Sequence, residues 1–275
     1  MWLVWLCRSI YIEMSFVNSI SDLCTDRVSG WLSGRAGGLV IVPVLVVLLP
    51  ALGIVSIEQV MVVAVATSLA SIIITSGSSI RAHHKRNNVS WSLAGAVMLG
   101  AGIGAGSVGL VAHHINGATL RIIFGVAVFL LAARMLGSRS VLGRAQLPGK
   151  PVLGGIAAVL GAISGLLGIG GGALVVPVLN YFSVDMRRAI GCAAASGIAI
   201  AVLGTLGYVV AGWHRYQLAD GFIGFIYLPA LIGIVSTSVF TATLGAAMTQ
   251  RLPVLTIKRV FGVFLMLVAV RMVFS

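Results

Sequence analysis

Charge is what this sequence has least of. Only 9% of its 275 residues are charged, and only six are Asp or Glu. A soluble domain carries about 25% charged residues. This chain therefore cannot cover a water-facing surface, and a sizeable soluble domain is excluded. The few acids avoid the apolar interior: Glu58, Asp185 and Asp220 fall at segment edges, which argues against a buried carboxylate relay. Cysteine is scarce too. Cys7, Cys24 and Cys192 form no CxxC pair and so give no metal site or disulfide framework. The apolar segments hold no convergent Ser/His/Asp, Cys/His or paired carboxylates, so an enzyme has no support and no cofactor is implied.

What is present is apolar. Hydrophobic residues make up 59% of the chain and mean hydropathy is +1.10. Eight apolar stretches occupy about 30–55, 59–79, 89–112, 118–137, 152–182, 189–212, 221–248 and 254–274. At roughly 20 residues per crossing, the expectation is an all-α, polytopic helical membrane protein. The net charge of +12 would suggest nucleic acid in a soluble protein. Here Lys and Arg lie mostly between the apolar segments, where they act as topology signals facing anionic lipid; no nucleic-acid partner is expected. Residues 1–29 mix an apolar start with Arg8, Glu13, Asp22, Asp26 and Arg27. They form neither a clean signal peptide nor a full span and are read as an N-terminal arm.

The chain repeats itself. Setting Pro43 against Pro177 aligns WLSGRAGGLVIVPVL (31–45) with GLLGIGGGALVVPVL (165–179), so that Gly34, Gly37 and Gly38 fall on Gly168, Gly171 and Gly172. LRIIFGVAVFLLAARM (120–135) likewise answers IKRVFGVFLMLVAVRM (257–272), and ATSL (66–69) loosely answers AASG (194–197). The expected organisation is a first membrane repeat over 30–137, a cytoplasmic linker over 138–150 and a second repeat over 151–275, each of four segments. Duplicated halves with Gly- or Pro-interrupted segments at matching positions point to a secondary transporter.

The basic residues bear on whether the glycine segments cross or turn back. If all eight segments cross, the Lys and Arg after residue 35 divide nine to six, with Arg121, Arg187 and Arg188 on the poorer side. If 30–55 and 152–182 are re-entrant, they divide twelve to three, leaving only Arg121, Arg215 and Arg271 apart. The positive-inside rule favours the second arrangement, which also makes the halves inverted. Counting Arg8, Arg27 and Arg35 removes the difference, since both arrangements then divide twelve to six.

Irregular backbone at membrane depth is tolerated only where protein or a wet cavity surrounds it. Gly168, Gly170, Gly171 and Gly172 are poor interior helix residues, and a break is expected from Gly168 to Gly172, with ALVVPVLNYF opening a new short helix. Its first N–H groups would have no partner within the helix and would carry about half a positive charge. That is an anion site without a charged side chain. Gly34, Gly37 and Gly38 offer a weaker copy. The bland reading, that these glycines only let helices pack closely, fits GAGIGAG (100–106) better. GRAQLPGKP (143–151) is a decoy: five residues separate its glycines rather than four, and Pro151 stands where a phosphate loop needs Ser or Thr.

The doubled glycine–Val-Pro motif and the ATSL stretch resemble the sulfite exporter TauE/SafE family of bacterial membrane proteins, over roughly residues 30–274. The resemblance implies a place in the bacterial inner membrane and movement of sulfite, organosulfonates or related sulfur anions across it, commonly outward. There are departures: Arg35 and Ala36 stand where Ile169 and Gly170 sit in the second motif, and Ala195-Ser196 replaces Thr67-Ser68. Arg35 either adds charge to an anion site or snorkels to an interface, the latter being favoured.

Hydroxyls can donate to an oxyanion without the cost of a buried charge. Thr67, Ser68 and Ser196 are the main candidates, weighed against bonding back to the helix or to a neighbouring helix; Ser71 and Thr205 are weaker ones. The predicted substrate site is Gly37, Gly38, Thr67, Ser68, Gly168, Gly170, Gly171, Gly172 and Ser196, holding a small anion between the halves, with membrane lipid as the other partner. Uptake of another small organic anion and a non-transporting scaffold subunit are the alternatives. Homo-oligomerisation is left open.

Overall fold

The computed structural model describes residues 37–85, 89–137, 145–249 and 254–274. The N-terminal arm and Gly34 and Arg35 of the first motif lie outside the described residues. Nine α-helices are described: α1 Gly37–Ala51, α2 Val60–Lys85, α3 Trp91–Val111, α4 Gly117–Gly137, α5 Lys150–Leu167, α6 Gly172–Tyr181, α7 Met186–Gly212, α8 Leu228–Thr249 and α9 Val254–Phe274. Five helical stretches, in α2, α3, α4, α5 and α7, are long and apolar enough to cross a membrane. Their outer faces are apolar: Leu99, Ile103, Val159 and Val210 are each more than 60% exposed. In water such faces would each cost hydrophobic free energy; facing acyl chains they cost nothing.

Small residues set the centre of the bundle. A Cβ at Gly100 or Gly104 of α3 would fall 2.1 or 1.9 Å from the carbonyl oxygen of Gly154 or Ala158 on α5. A Cβ at Gly161 would fall 2.0 Å from Ala101 O, and one at Gly207 of α7 2.5 Å from Gly106 O. Helix α3 thus lies in backbone contact with α5 on one side and α7 on the other, all three running the same way. GAGIGAG is the packing motif that its spacing suggests, and the gain is van der Waals contact between backbones.

The glycine-rich segment breaks where expected. Pro151 sits in the first turn of α5, and α5 ends at Leu167 with Gly168 in the left-handed region at φ +63°. The N–H groups of Gly168 and Ile169 both return to Ser164 O, closing the helix. Helix α6 starts at Gly172 and runs only ten residues. Its far end meets the strap ahead of α5: Ala145 N–H donates to Tyr181 O at 3.4 Å, and Ser183 Oγ–H donates to Ala145 O at 3.2 Å. Helices α5 and α6 therefore leave from and return to one end of the bundle, with the bend between them buried.

That end also carries the close of α2 and the starts of α3 and α7. Trp91 Nε1–H at the start of α3 donates to His84 Nδ1 at the end of α2, and Cys192 Sγ lies 3.8 Å from Ser90 O. Arg81, Lys85, Lys150, Arg187 and Arg188 lie on the helix ends gathered here. At the opposite end, Gly117 packs on Glu58 O and the Tyr216 hydroxyl hydrogen-bonds Gln59; Arg121 and Arg215 lie there.

The stretch 221–248, expected as one apolar segment, is divided. Before α8 begins, β1 (Phe222–Ile223) and β2 (Ile226–Tyr227) form an antiparallel ladder with Phe222 opposite Tyr227 and Ile223 opposite Ile226. This small hairpin is the one departure from an all-α fold among the described residues. Gly224, at φ +58°, makes the turn possible and packs on Val209 O. Phe222 and Phe225 are buried, and the Tyr216 ring stacks on Phe222 with centroids 4.4 Å apart.

Candidate functional site

The break between α5 and α6 sits at mid-depth, between α2 and α7. A Cβ on Gly168 would meet Val42 of α1 at 3.0 Å and the Val65 backbone of α2 at 3.2 Å. A Cβ on Gly171 would fall 2.5 Å from Ser196 Oγ and 3.1 Å from Gly197 N of α7. Ser196 is ten residues into α7, about 15 Å from its start at 1.5 Å per residue. Glycine is thus required at Gly168 by conformation and at Gly171 by close approach. Gly170 differs: a Cβ there would meet nothing nearer than the Ile72 Cγ2 methyl at 3.4 Å, so that side of the break is the roomier one.

The hydroxyls around the break serve the backbone. Ser68 Oγ–H donates to Gly168 O at 2.9 Å, tying α2 to the break across 100 residues of sequence. Ser71 Oγ–H donates to Ser68 O at 2.7 Å and Ser196 Oγ–H to Ala193 O at 3.0 Å, both within their own helices. Thr67 Oγ1 accepts the N–H of Tyr227 at 3.1 Å, which anchors the β-hairpin to α2 and leaves the Thr67 proton available as a donor. Thr67, Ser68 and Ser196 are all fully buried.

Helix α6 begins with Gly171 as its N-cap, which has no side chain to cap the first N–H groups. A helix start buried this way presents partial positive charge to whatever lies before it. The lining brings no carboxylate close, so the arrangement can receive an anion. Of the predicted residues, Gly168, Gly170, Gly171, Gly172, Ser68 and Ser196 are brought to this one place. Thr67, next to Ser68, faces the hairpin. Gly37 and Gly38 are the first described residues of α1, whose Val42 packs on Gly168.

Two groups were not singled out from sequence. Ser164, four residues before Gly168, is fully buried and its hydroxyl has no hydrogen-bond partner; Thr205, already a weaker candidate, shares that state. The signal for Ser164 was a lone hydroxyl in the apolar run GAISGLLG. Tyr208 of α7 is buried and donates its O–H to Gly165 O at 3.2 Å, a second clamp on the end of α5. No local pattern marks Tyr208, because its partner is 43 residues away.

Comparison with known proteins follows the same line. A family described as "Sulfite exporter TauE/SafE" matches residues 27–272. A "probable membrane transporter protein" of Haemophilus influenzae is 37% identical over 260 residues, covering 91% of this chain and 96% of its own length. Proteins with the same description from Methanocaldococcus jannaschii (27% identical; 86% of this chain and 90% of theirs) and from Bacillus subtilis (26%; 95% and 98%) are more distant. No solved structure matches the chain. The chain is a multi-pass membrane transporter rather than an enzyme, and it belongs to the sulfite exporter TauE/SafE family.

Proposed function

We propose that this transporter exports a small sulfur oxyanion or organosulfonate across the bacterial inner membrane and holds it at the Gly168–Gly172 break. The observation that carries this reading is the start of α6: an uncapped helix N-terminus buried at mid-depth against Ser196 and Ile72. The amides of Gly170, Gly171 and Gly172 would donate to the anion, with those of Gly37 and Gly38 opposite, while Thr67 would act from the hairpin side by anchoring Tyr227 to α2. Ser68 and Ser196, which donate to Gly168 O and Ala193 O, would support the two walls of the break.

In this reading the chain is two inverted repeats, 30–137 and 151–275, joined by a cytoplasmic linker at 138–150. Three features support it. Helix α6, which carries the second Val-Pro motif, is only ten residues long. Helices α2 and α7, which carry ATSL and AASG, run in opposite directions. Helices α5 and α6 return to the end they left. The halves would then rock about the bound anion to alternate access.

The test is thermal stability of the purified protein in detergent against sulfite, thiosulfate, sulfate, sulfoacetate, acetate and chloride at matched ionic strength. A ligand that binds only the folded state raises Tm by mass action. The expected result is a selective rise with one sulfur anion, lost in Gly171→Leu. An equal rise with acetate, retained in Gly171→Leu, contradicts both the substrate class and the site.

A further inference from the structure

A cleft separate from the break carries basic side chains. At the basic end of the bundle, a cleft of about 450 Å³ opens where α3, α5 and α7 begin. Lys150 and Arg188 stand on its rim, Ser90 lies beside them, and Leu93 and Leu153 form an apolar floor. The strap ahead of α5 closes one wall through the two hydrogen bonds between Ala145 and the Tyr181–Ser183 turn. The cleft lies about 27 Å along α5 from Gly168, at 1.5 Å per residue, so it is separate from the break.

Its charge is positive on balance. Against Lys150 and Arg188 the lining sets one acid, Asp185, whose carboxylate accepts the N–H of Arg187 at 3.2 Å and caps α7 while keeping its own charge. Neither Lys150 nor Arg188 forms an ion pair among the described residues. Ser90 and Gly149, the N-caps of α3 and α5, make no side-chain cap bond, so both helices add their positive ends to the same cleft.

We propose that this cleft binds an oxyanion group of phosphate or sulfonate type. Two cations suit its charge and several oxygens suit the surrounding donors, while the apolar floor accommodates a short apolar continuation. Two sources offer that chemistry at a membrane surface: the phosphate of an anionic phospholipid headgroup and a free oxyanion at the mouth of the pathway.

The experiment follows Tm of the full-length protein in detergent against short-chain phosphatidylglycerol, short-chain phosphatidylcholine and inorganic phosphate at constant ionic strength. It is run on the parent chain and on Gly171→Leu, so that binding at the break does not enter. The expected result is a saturable rise in Tm that survives Gly171→Leu and Arg121→Gln but is lost in Lys150→Gln/Arg188→Gln. Both of those side chains are exposed, so the double variant folds, and the single variants each lose part of the shift. A rise with phosphatidylglycerol alone identifies a lipid headgroup; a rise with phosphate as well identifies a free oxyanion. No rise with either, a rise that the double variant keeps, or an equal rise with phosphatidylcholine overturns the proposal.

Discussion

At the residue scale, the account rests on what a few atoms can and cannot do. Ser68 is the clearest case. Its hydroxyl donates to the Gly168 carbonyl, so Ser68→Ala leaves a buried acceptor unpaired and costs about 1–3 kcal/mol. The expected outcome is a lower Tm, measured in detergent, together with slower transport because the break loses a support. Gly170→Ala provides the contrast: the added methyl meets the Ile72 Cγ2 methyl at 3.4 Å, an ordinary van der Waals contact, and Tm stays within error of the parent. The glycines of the break were legible in sequence because four of them fall within five positions of an apolar run. The direction of the Ser68 hydroxyl was not legible, because its partner lies on a different helix 100 residues on.

At the element scale, helix–helix contact through glycine is what positions the break. Helix α3 can lie against α5 only because Gly104 and Gly161 have no side chain; a Cβ on either would sit at about 2 Å from backbone oxygen of the other helix. Gly104→Leu must push the helices apart and should destabilise the protein by about 1–3 kcal/mol or more. Leu99→Ala, on the exposed face of the same helix, should change little; unfolding in a denaturing detergent series compares the two. This packing was readable from the four-residue recurrence of small residues. The β-hairpin at 222–227 was not. FIGFIY reads as the start of an apolar helix, and only tertiary partners (Val209 against Gly224, Thr67 against Tyr227) give its backbone another solution. Thr67→Val removes the acceptor for the Tyr227 N–H. Hydrogen exchange at 222–227 is expected to accelerate while the rest of the bundle keeps its protection.

At the scale of the whole molecule, the distribution of charge and the direction of the helices have to agree. Lys150 and Arg188 line one cleft, while Arg121 starts α4 beside the opposite end. In a chain whose three native cysteines are replaced by alanine, Lys150→Cys and Arg188→Cys should react with a membrane-impermeant maleimide from the cytoplasmic side, and Arg121→Cys from the other. If all eight segments crossed, Arg188 and Arg121 would instead label together. The sequence left these two arrangements open because the N-terminal arginines blunt the charge count. The contact between Ala145 and Tyr181 is what brings the two ends of the α5–α6 segment together.

The measurement that tests the central claim most directly is the flux of radiolabelled sulfite into and out of proteoliposomes of known orientation, for the parent chain and Gly171→Leu. The account predicts saturable flux in the export direction by the parent chain, inhibited by unlabelled sulfite or sulfonate, and background flux in Gly171→Leu even where that variant keeps its folded elution profile. Parent-level flux in folded Gly171→Leu, or no sulfur-anion flux in the parent chain, would contradict it.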